Sequence, residues 1–549
     1  MRNYSLPQTT LIRGFALTQS AGQPDARQLP ANKHSCRAGA AQPGRFFSAC
    51  IVALAMLCIL TPVANAGTLY LSQLSAAQET PPTTSTATGL GILILNDAET
   101  SATITATHNI SIPVTGGHIH RGPVGVAGPI IFPFPAPTSP VGPLVWAIPA
   151  ADVFNLKNLG LYMNFHTAVN PGGAIRGVLV RALLAPAATT GAQSQIANAL
   201  DVSAGFSADL DQILVQTNLG SAATQAQVLS DLSARTAYVP TRQEIEAMSG
   251  LTDSLFAHED DIRLGAVSSS NRQISTFLVG GDAYGQRSTD ANQAGSTFSR
   301  PFAAAGIESG WGAHGRGGLT LGYADARDTF RAGLGKTKDR IVSVQPFLSG
   351  ALGDTGVSWD AVVGYGWGKI DSTRQIPSLG LTATSSPSGS VWSAALKVSK
   401  ILALGTQAKV VPYALIDSQK ATVDAYSETG AGSADLVIPR LTTKNTAIEG
   451  GATLILPIAV SSGNLTARVQ AGWNALLENG GQNFSTQLAG SPVAFDTHIA
   501  ALGKNAAHLE AALTMMMANG LSATLGYRGL FGTDRVIIRA VEARIDLHL

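Results

Sequence analysis

The chain has 549 residues, enough for several domains, and its 36 basic and 35 acidic side chains leave a net charge of +1. Only 13% of residues are charged and mean hydropathy is +0.18, which excludes nucleic acid as a partner, since that demands a basic stripe, and points to a membrane. All three cysteines, Cys36, Cys50 and Cys58, lie near the start, so a disulfide-stapled domain further on is excluded as well.

Residues 1–66 read as an extended leader ending in a secretory signal peptide. Arg37 and Arg45 precede the apolar core Ile51–Leu60, and Ala64, Asn65 and Ala66 supply the small residues of a cleavage site. That core is short for a transmembrane helix, so export through the Sec machinery with cleavage before Gly67 is expected. The mature chain then carries no cysteine, which suits a polypeptide that crosses a second membrane unfolded and uncrosslinked.

Residues 67–184 break into short apolar or alternating runs, among them GLGILIL, SATITATHNI and AIRGVLVRALL, between Gly, Pro and Asn turns. A small antiparallel β-sandwich or barrel is expected. Its chemistry rests on three histidines. His118 and His120, at i and i+2 on a strand, share a face. His166 can approach from another strand, making a three-nitrogen set suited to zinc or copper. The competing reading is a scaffold, with neutral rings bonded to loop carbonyls and Glu79 paired with Arg176 to tie the two ends of the domain together. Neutral hydrogen bonding is the commoner fate of a histidine, so the scaffold is expected, no cofactor is assigned, and zinc or copper stand as the alternative. No nucleophile elbow, protease signature or phosphate loop occurs, so no enzyme is expected.

The motifs of this domain resemble the CHRD family, named after chordin. They are Gln78-Glu79-Thr80-Pro81-Pro82, then His118-x-His120 followed by Gly122, Gly125, Gly128 and Pro129, then His166-Thr167 with Pro171, Gly173, Arg176 and Gly177. The resemblance implies an extracellular binding or adhesion module with no agreed catalytic activity. The Gly-x-His-x-His run also faintly resembles copper/zinc superoxide dismutase, but that enzyme's further ligands and cysteine pair have no counterparts here.

Over residues 185–264 the period changes to that of helices, with Leu210, Ile213 and Leu214, then Leu229 and Leu232, three and four apart. Pro240 is expected to stop one element, and Thr241 with Glu244 to form a capping box that starts the next. The helix Thr241–Leu264 is polar on most sides, with Glu244, Glu259, Asp260 and Asp261 among its acids, and its apolar stripe is limited to Ile245, Met248 and Leu255. A polar lumen suits it better than an apolar core, so it is expected to be a pore helix. The connector ahead of it, up to Pro240, is expected to be exposed, poorly packed and open to proteases.

Residues 265–549 alternate apolar with small or polar side chains in ten-residue segments, the signature of a transmembrane β-barrel. Val357, Trp359, Ala361, Val363, Tyr365 and Trp367 share one face, with Val362 the exception on the other. In the same way Leu465–Trp473 and Leu521–Tyr527 alternate, which turns Arg468 and Arg528 toward the lumen, and the last segment, Val541–Leu549, turns Arg544 inward. Twelve such strands are expected, the last closing the barrel. This region, with the runs FLVGGDAYGQ, AAAGIESGW and LTLGYADA and the preceding LSDLSARTAY, resembles the C-terminal β-domain of autotransporters over Gln195–Leu549. The resemblance implies a monomer in the Gram-negative outer membrane, with outer-membrane lipid and the barrel-assembly and Sec machineries as partners. The whole reads as a mainly β protein that displays a CHRD-type domain to an unidentified extracellular ligand. Two alternatives remain: a displayed metal-binding or metalloenzyme domain, or a periplasmic CHRD domain on an outer-membrane channel.

Overall fold

The structure, a computed structural model, describes residues 67–263, 265, 274–311, 315–405, 407–460, 463–499, 501, 503–517, 520–532 and 536–548. The leader and signal peptide, with all three cysteines, lie outside these residues, as do Leu264 and Leu549.

The small domain comprises β1 (Gly67–Ser75), β2 (Thr88–Asn96), β3 (Ala102–His108), β4 (Val114–Arg121), β5 (Ile130–Pro133), β6 (Val141–Trp146), α1 (Ala150–Lys157), β7 (Leu161–Thr167), β8 (Ile175–Val178) and β9 (Val180–Arg181). Its strands form a single antiparallel sheet in the order β5-β4-β7-β8-β1-β2-β3-β6, with β9 beside β1. The sheet curls until its edges meet: Phe132 on β5 stacks on Trp146 on β6, ring centroids 5.3 Å apart. Alternation along the strands turns Leu93, Leu95, Ile104, Ile119, Met163 and Phe165 into one core.

Three helices follow, α2 (Gly191–Leu200), α3 (Ala208–Asn218) and α4 (Ala222–Leu232). Thr190, Ser207 and Ser221 cap them with side-chain oxygens on backbone N–H groups. Contrary to expectation, this connector is neither exposed nor loosely packed. Ile196, Leu200, Leu210, Leu214, Val228, Leu229 and Leu232 are buried in one core that also holds Leu69 and Leu71 of β1. Burying each such side chain stabilises the fold by roughly 1.5–3 kcal/mol.

The long helix α5 runs from Val239 to Arg263. The capping box is not formed. Pro240 sits inside the first turn, where its missing N–H costs nothing. Thr241 instead donates to the carbonyl of Tyr238 and accepts from Thr443.

The barrel strands, in chain order, are β10 (Ile274–Arg287), β11 (Ser296–Trp311), β12 (Gly315–Phe330), β13 (Gly335–Ala351), β14 (Val357–Ile376), then β15 (Leu381–Ser385), β16 (Ser388–Lys400) and β17 (Leu402–Leu404). They continue with β18 (Ala408–Val423), β19 (Tyr426–Ser427), β20 (Leu436–Ile438), β21 (Leu441–Val460), β22 (Gly463–Asn479), β23 (Gln482–Leu488), β24 (Ala494–Ile499), β25 (Asn505–Met516), β26 (Leu521–Gly532) and β27 (Val536–His548). Twelve of these close an antiparallel up-and-down barrel, with β27 paired to β10 as Ser275↔His548 through Arg287↔Val536. Val363, Trp367, Val469, Trp473, Leu525 and Tyr527 point outward and are exposed. Aromatic rims flank this apolar wall: Tyr323, Tyr365, Trp367 and Trp392 at one level, Trp311 and Trp359 toward the other.

Connections at the two ends of the barrel differ. One end has short turns. At the other, β14 runs on into a hairpin with β15 where Gln375–Ser390 reads as a loop in the sequence, and β19, β20, β23 and β24 form a four-stranded sheet of their own. The connector packs on this long-loop end. Ile376, Ala383, Leu436, Leu441 and Phe495 complete its core, and Ser203 and Ser207 hydrogen-bond Ser491 and Ser433.

Candidate functional site

Two clusters of ionisable groups stand out, one in the lumen and one in the small domain. Helix α5 enters the barrel at the long-loop end, where Tyr238 donates to the Ala294 carbonyl at 2.9 Å. It finishes at the short-turn end, where Arg263 pairs with Asp360 and donates to Ser349 at 3.0 Å. Its 25 residues span about 37 Å at 1.5 Å each. The lumen arginines expected from sequence meet the helix acids. Arg544 holds Asp261, Arg468 lies 3.4 Å from Asp261 and 2.6 Å from Glu510, and Arg528 reaches Asp253 at 3.4 Å. Asp260 is held by Lys397, and Glu259 lies 3.5 Å from Arg316. Among the described residues Glu244 has no cationic partner; its carboxylate faces Asp339 close over the backbone of Gly368. The lumen is less polar than the sequence suggests. Ala247 and Leu251 pack on Phe302, Ala324 and Ile341, while Leu255 and Phe256 pack on Phe277, Phe347 and Val362.

In the small domain β4 and β7 pair with His118 opposite Asn164, His120 opposite Tyr162 and His166 opposite Gly116. This register brings the three histidines together. Ring centroids lie 5.5 Å apart for His118 and His120, 5.2 Å for His118 and His166, and 6.0 Å for His120 and His166. His120 Nδ1 sits 3.0 Å from the Gly128 carbonyl, and His166 Nδ1 the same distance from that of Pro171. A carbonyl only accepts, so each Nδ1 carries the proton and each Nε2 is a lone pair. Those two Nε2 atoms and Nδ1 of His118 are buried and make no hydrogen bond.

Glycine is required at two places around the rings. A Cβ on Gly116 would meet His118 Cε1 at 2.9 Å, and one on Gly128 would strike the Arg121 carbonyl. Behind the cluster, Tyr162 stacks on His120 with centroids 4.9 Å apart, accepts from the Gly128 N–H at 3.1 Å and carries the Arg176 guanidinium over its ring. Arg176 donates to Thr80 and to the carbonyls of Pro123 and Val126, not to Glu79. The expected ion pair is therefore absent: three oxygens of the loops already satisfy the guanidinium, and Glu79 accepts from Asn164 instead. Pro81 and Pro82 follow Glu79 and are exposed on the approach to β2. Burial pushes the Glu79 carboxyl up to about 7 against the pull of Arg176. Burial first, then His166 and His120, holds His118 below the ordinary histidine value; His120 is lowered by burial, which outweighs its bond to Gly128, and further by His166 and Arg176. His118 and His120 are thus neutral near pH 7. Sequence reasoning missed Tyr162 and Asn164, which period-2 spacing from His166 places on the same strand face.

A closed barrel with an apolar wall, aromatic rims and a helix through its lumen defines an outer-membrane transport domain. Residues 277–528 match the family model described as the autotransporter beta-domain, and residues 70–179 match that of the CHRD domain. The chain therefore carries an autotransporter β-domain behind a CHRD domain and is a protein of the Gram-negative outer membrane. Solved structures similar to it include the translocator domain of autotransporter NalP from Neisseria meningitidis, with a TM-score of 0.43 and 15% identity over 54% of this chain and 97% of that one. The beta domain of the Bordetella autotransporter BrkA gives 0.38 and 18% over 50% and 99%. The transport unit of AIDA-I from Escherichia coli gives 0.38 and 13% over 51% and 91%. A search of curated proteins returned no match.

Proposed function

We propose that the barrel carries its own CHRD domain to the cell surface and keeps it there as a binding module. The observation behind this reading is the direction of α5. It enters at the long-loop end and leaves at the short-turn end, so the described residues ahead of Val239 lie on the long-loop side, which in outer-membrane barrels faces outward. Retention rests on the core shared by β1, the connector helices and the barrel's own hairpins, which leaves no slack linker to cut among the described residues ahead of α5. The barrel contributes anchoring in outer-membrane lipid and transport, and the ligand is met by the small domain. Secretion through the Sec system and insertion by the barrel-assembly machinery complete the reading.

Val169 offers the test, being 75% exposed on a small-domain turn in a chain whose described residues contain no cysteine. Val169→Cys should react with a membrane-impermeant maleimide on intact cells. Labelling only after the outer membrane is permeabilised would place the domain in the periplasm and end the display reading.

A further inference from the structure

We infer that His118, His120 and His166 form a binding site for a late first-row divalent cation, with Cu²⁺ held more tightly than Zn²⁺. The site belongs to the small domain alone and stands whichever side of the membrane that domain faces.

The inference starts from what the three rings leave undone. One nitrogen from each of the three rings lies within 4.8 Å of the other two. Two of the rings have their outer nitrogens tied to backbone carbonyls, which fixes tautomer and orientation as the outer bonds of metal-bound histidines do. Their inner nitrogens are buried and unpartnered, as is Nδ1 of His118. Leaving a buried polar atom unsatisfied costs about 1–3 kcal/mol, and here three ring nitrogens without a partner belong to rings packed together, two of them lone pairs by their carbonyl ties. A shared proton bridges two nitrogens and leaves the third. A water has two hydrogens and does the same. A cation satisfies all three.

A tetrahedral ion bound at about 2.0–2.1 Å sets its nitrogen donors about 3.3 Å apart. Small rotations of the rings bring the set to that spacing, and the carbonyl ties of His120 and His166 act as pivots. His118 and His166 are only partly buried, which leaves one side open for a fourth ligand. The all-nitrogen donor set excludes a hard cation such as Ca²⁺ or Mg²⁺, which takes oxygen. With no sulfur among the donors, the general affinity order places Cu²⁺ above Zn²⁺.

The test uses the full chain, purified from outer membranes in detergent, stripped with chelator and loaded with copper sulfate or zinc sulfate. After desalting, elemental analysis should find one ion per chain, copper should displace zinc, and the Cu²⁺ spectrum in paramagnetic resonance should show nitrogen hyperfine splitting. The double variant His120→Gln/His166→Gln should lose affinity by about a hundredfold or more, whereas His498→Gln, whose ring is bonded to Asn483 outside the small domain, should bind as the unaltered chain does. A wild-type chain that retains no copper overturns the inference without recourse to any variant. Equal copper in the double variant overturns it as well.

Discussion

Histidine is buried in two settings in this chain, and the settings differ in one respect. In the lumen each buried ring has an acid against it: His258 lies 2.8 Å from Asp546 and 3.5 Å from Glu308, and His508 lies 2.7 Å from Glu449. In the small domain His118, His120 and His166 face one another, and among the described residues no carboxylate pairs with them. A carboxylate against a ring makes it part of an ion-pair network that fastens helix and wall together. Rings with no carboxylate against them, whose unbonded nitrogens lie close together, are not so fastened. The lumen cluster ties the helix to the barrel, whereas the small-domain cluster is equipped to hold something.

The largest effect expected is on the fastener side. Deleting Val239–Arg263 should raise conductance in planar bilayers by about an order of magnitude, since the helix fills a lumen that is otherwise an aqueous channel; equal conductance would show that the helix is not what closes the pore. Next in size, Asp260→Asn/Asp261→Asn takes from Lys397 its buried acid and from Arg468 and Arg544 one of theirs, leaving Glu510 and Asp546, and should destabilise the barrel by about 3–5 kcal/mol. The fall in the midpoint of heat-induced gel-mobility shift reads it, and an unchanged midpoint would make the two clusters alike.

On the other side, copper at a hundred times its dissociation constant should stabilise the small domain by about 2.7 kcal/mol, read as a rise in its melting transition. The folded-state values of His118 and His120 lie below the ordinary 6.5. The unfolded chain therefore takes up protons first as pH falls. Stability holds above pH 6.5 and is lost as pH drops through the depressed values. In a Glu79→Gln background, which removes the opposing carboxyl, a rise in stability on acidification from pH 6.5 would contradict this assignment. The smallest effect concerns Glu79. Its carboxyl titrates at about 7 in the fold against an ordinary 4.5, so its contribution is fully present below pH 4.5 and fades as pH rises through 7. Glu79→Gln should melt higher than the unaltered chain at pH 8 and match it near pH 4.5.

The barrel was readable because its alternation has period 2 and every strand repeats the signal: Trp359, Tyr365, Trp473 and Tyr527 all point where the pattern puts them. Existence of the pore helix was readable too, since acids on most sides suit a polar lumen better than an apolar core. Its start was misread because Thr241 and Glu244 have capping-box spacing, yet Pro240 tolerates the first turn and the helix begins at Val239. Packing of the connector was hidden for a different reason. Leu229 and Leu232 share a core with Ile376, Leu436 and Phe495, side chains far along the chain with no local trace in the helices themselves. At the histidine cluster the shared face of His118 and His120 follows from their spacing. The ties to Gly128 and Pro171 do not, because a backbone carbonyl acceptor has no letter in the sequence.

The final turns of α5 are gripped on several sides, Asp260 by β16, Asp261 by β22 and β27, and Arg263 by β14. On the display reading, a tug on the domain that travels down the helix axis reaches this ring of strands at its far end. The ion pairs there are loaded together, in shear, instead of peeling apart one after another. Such a joint yields at the summed strength of its bonds rather than at that of the weakest, so a cell moored through this domain would hold against drag and part, if at all, at whatever the domain has grasped.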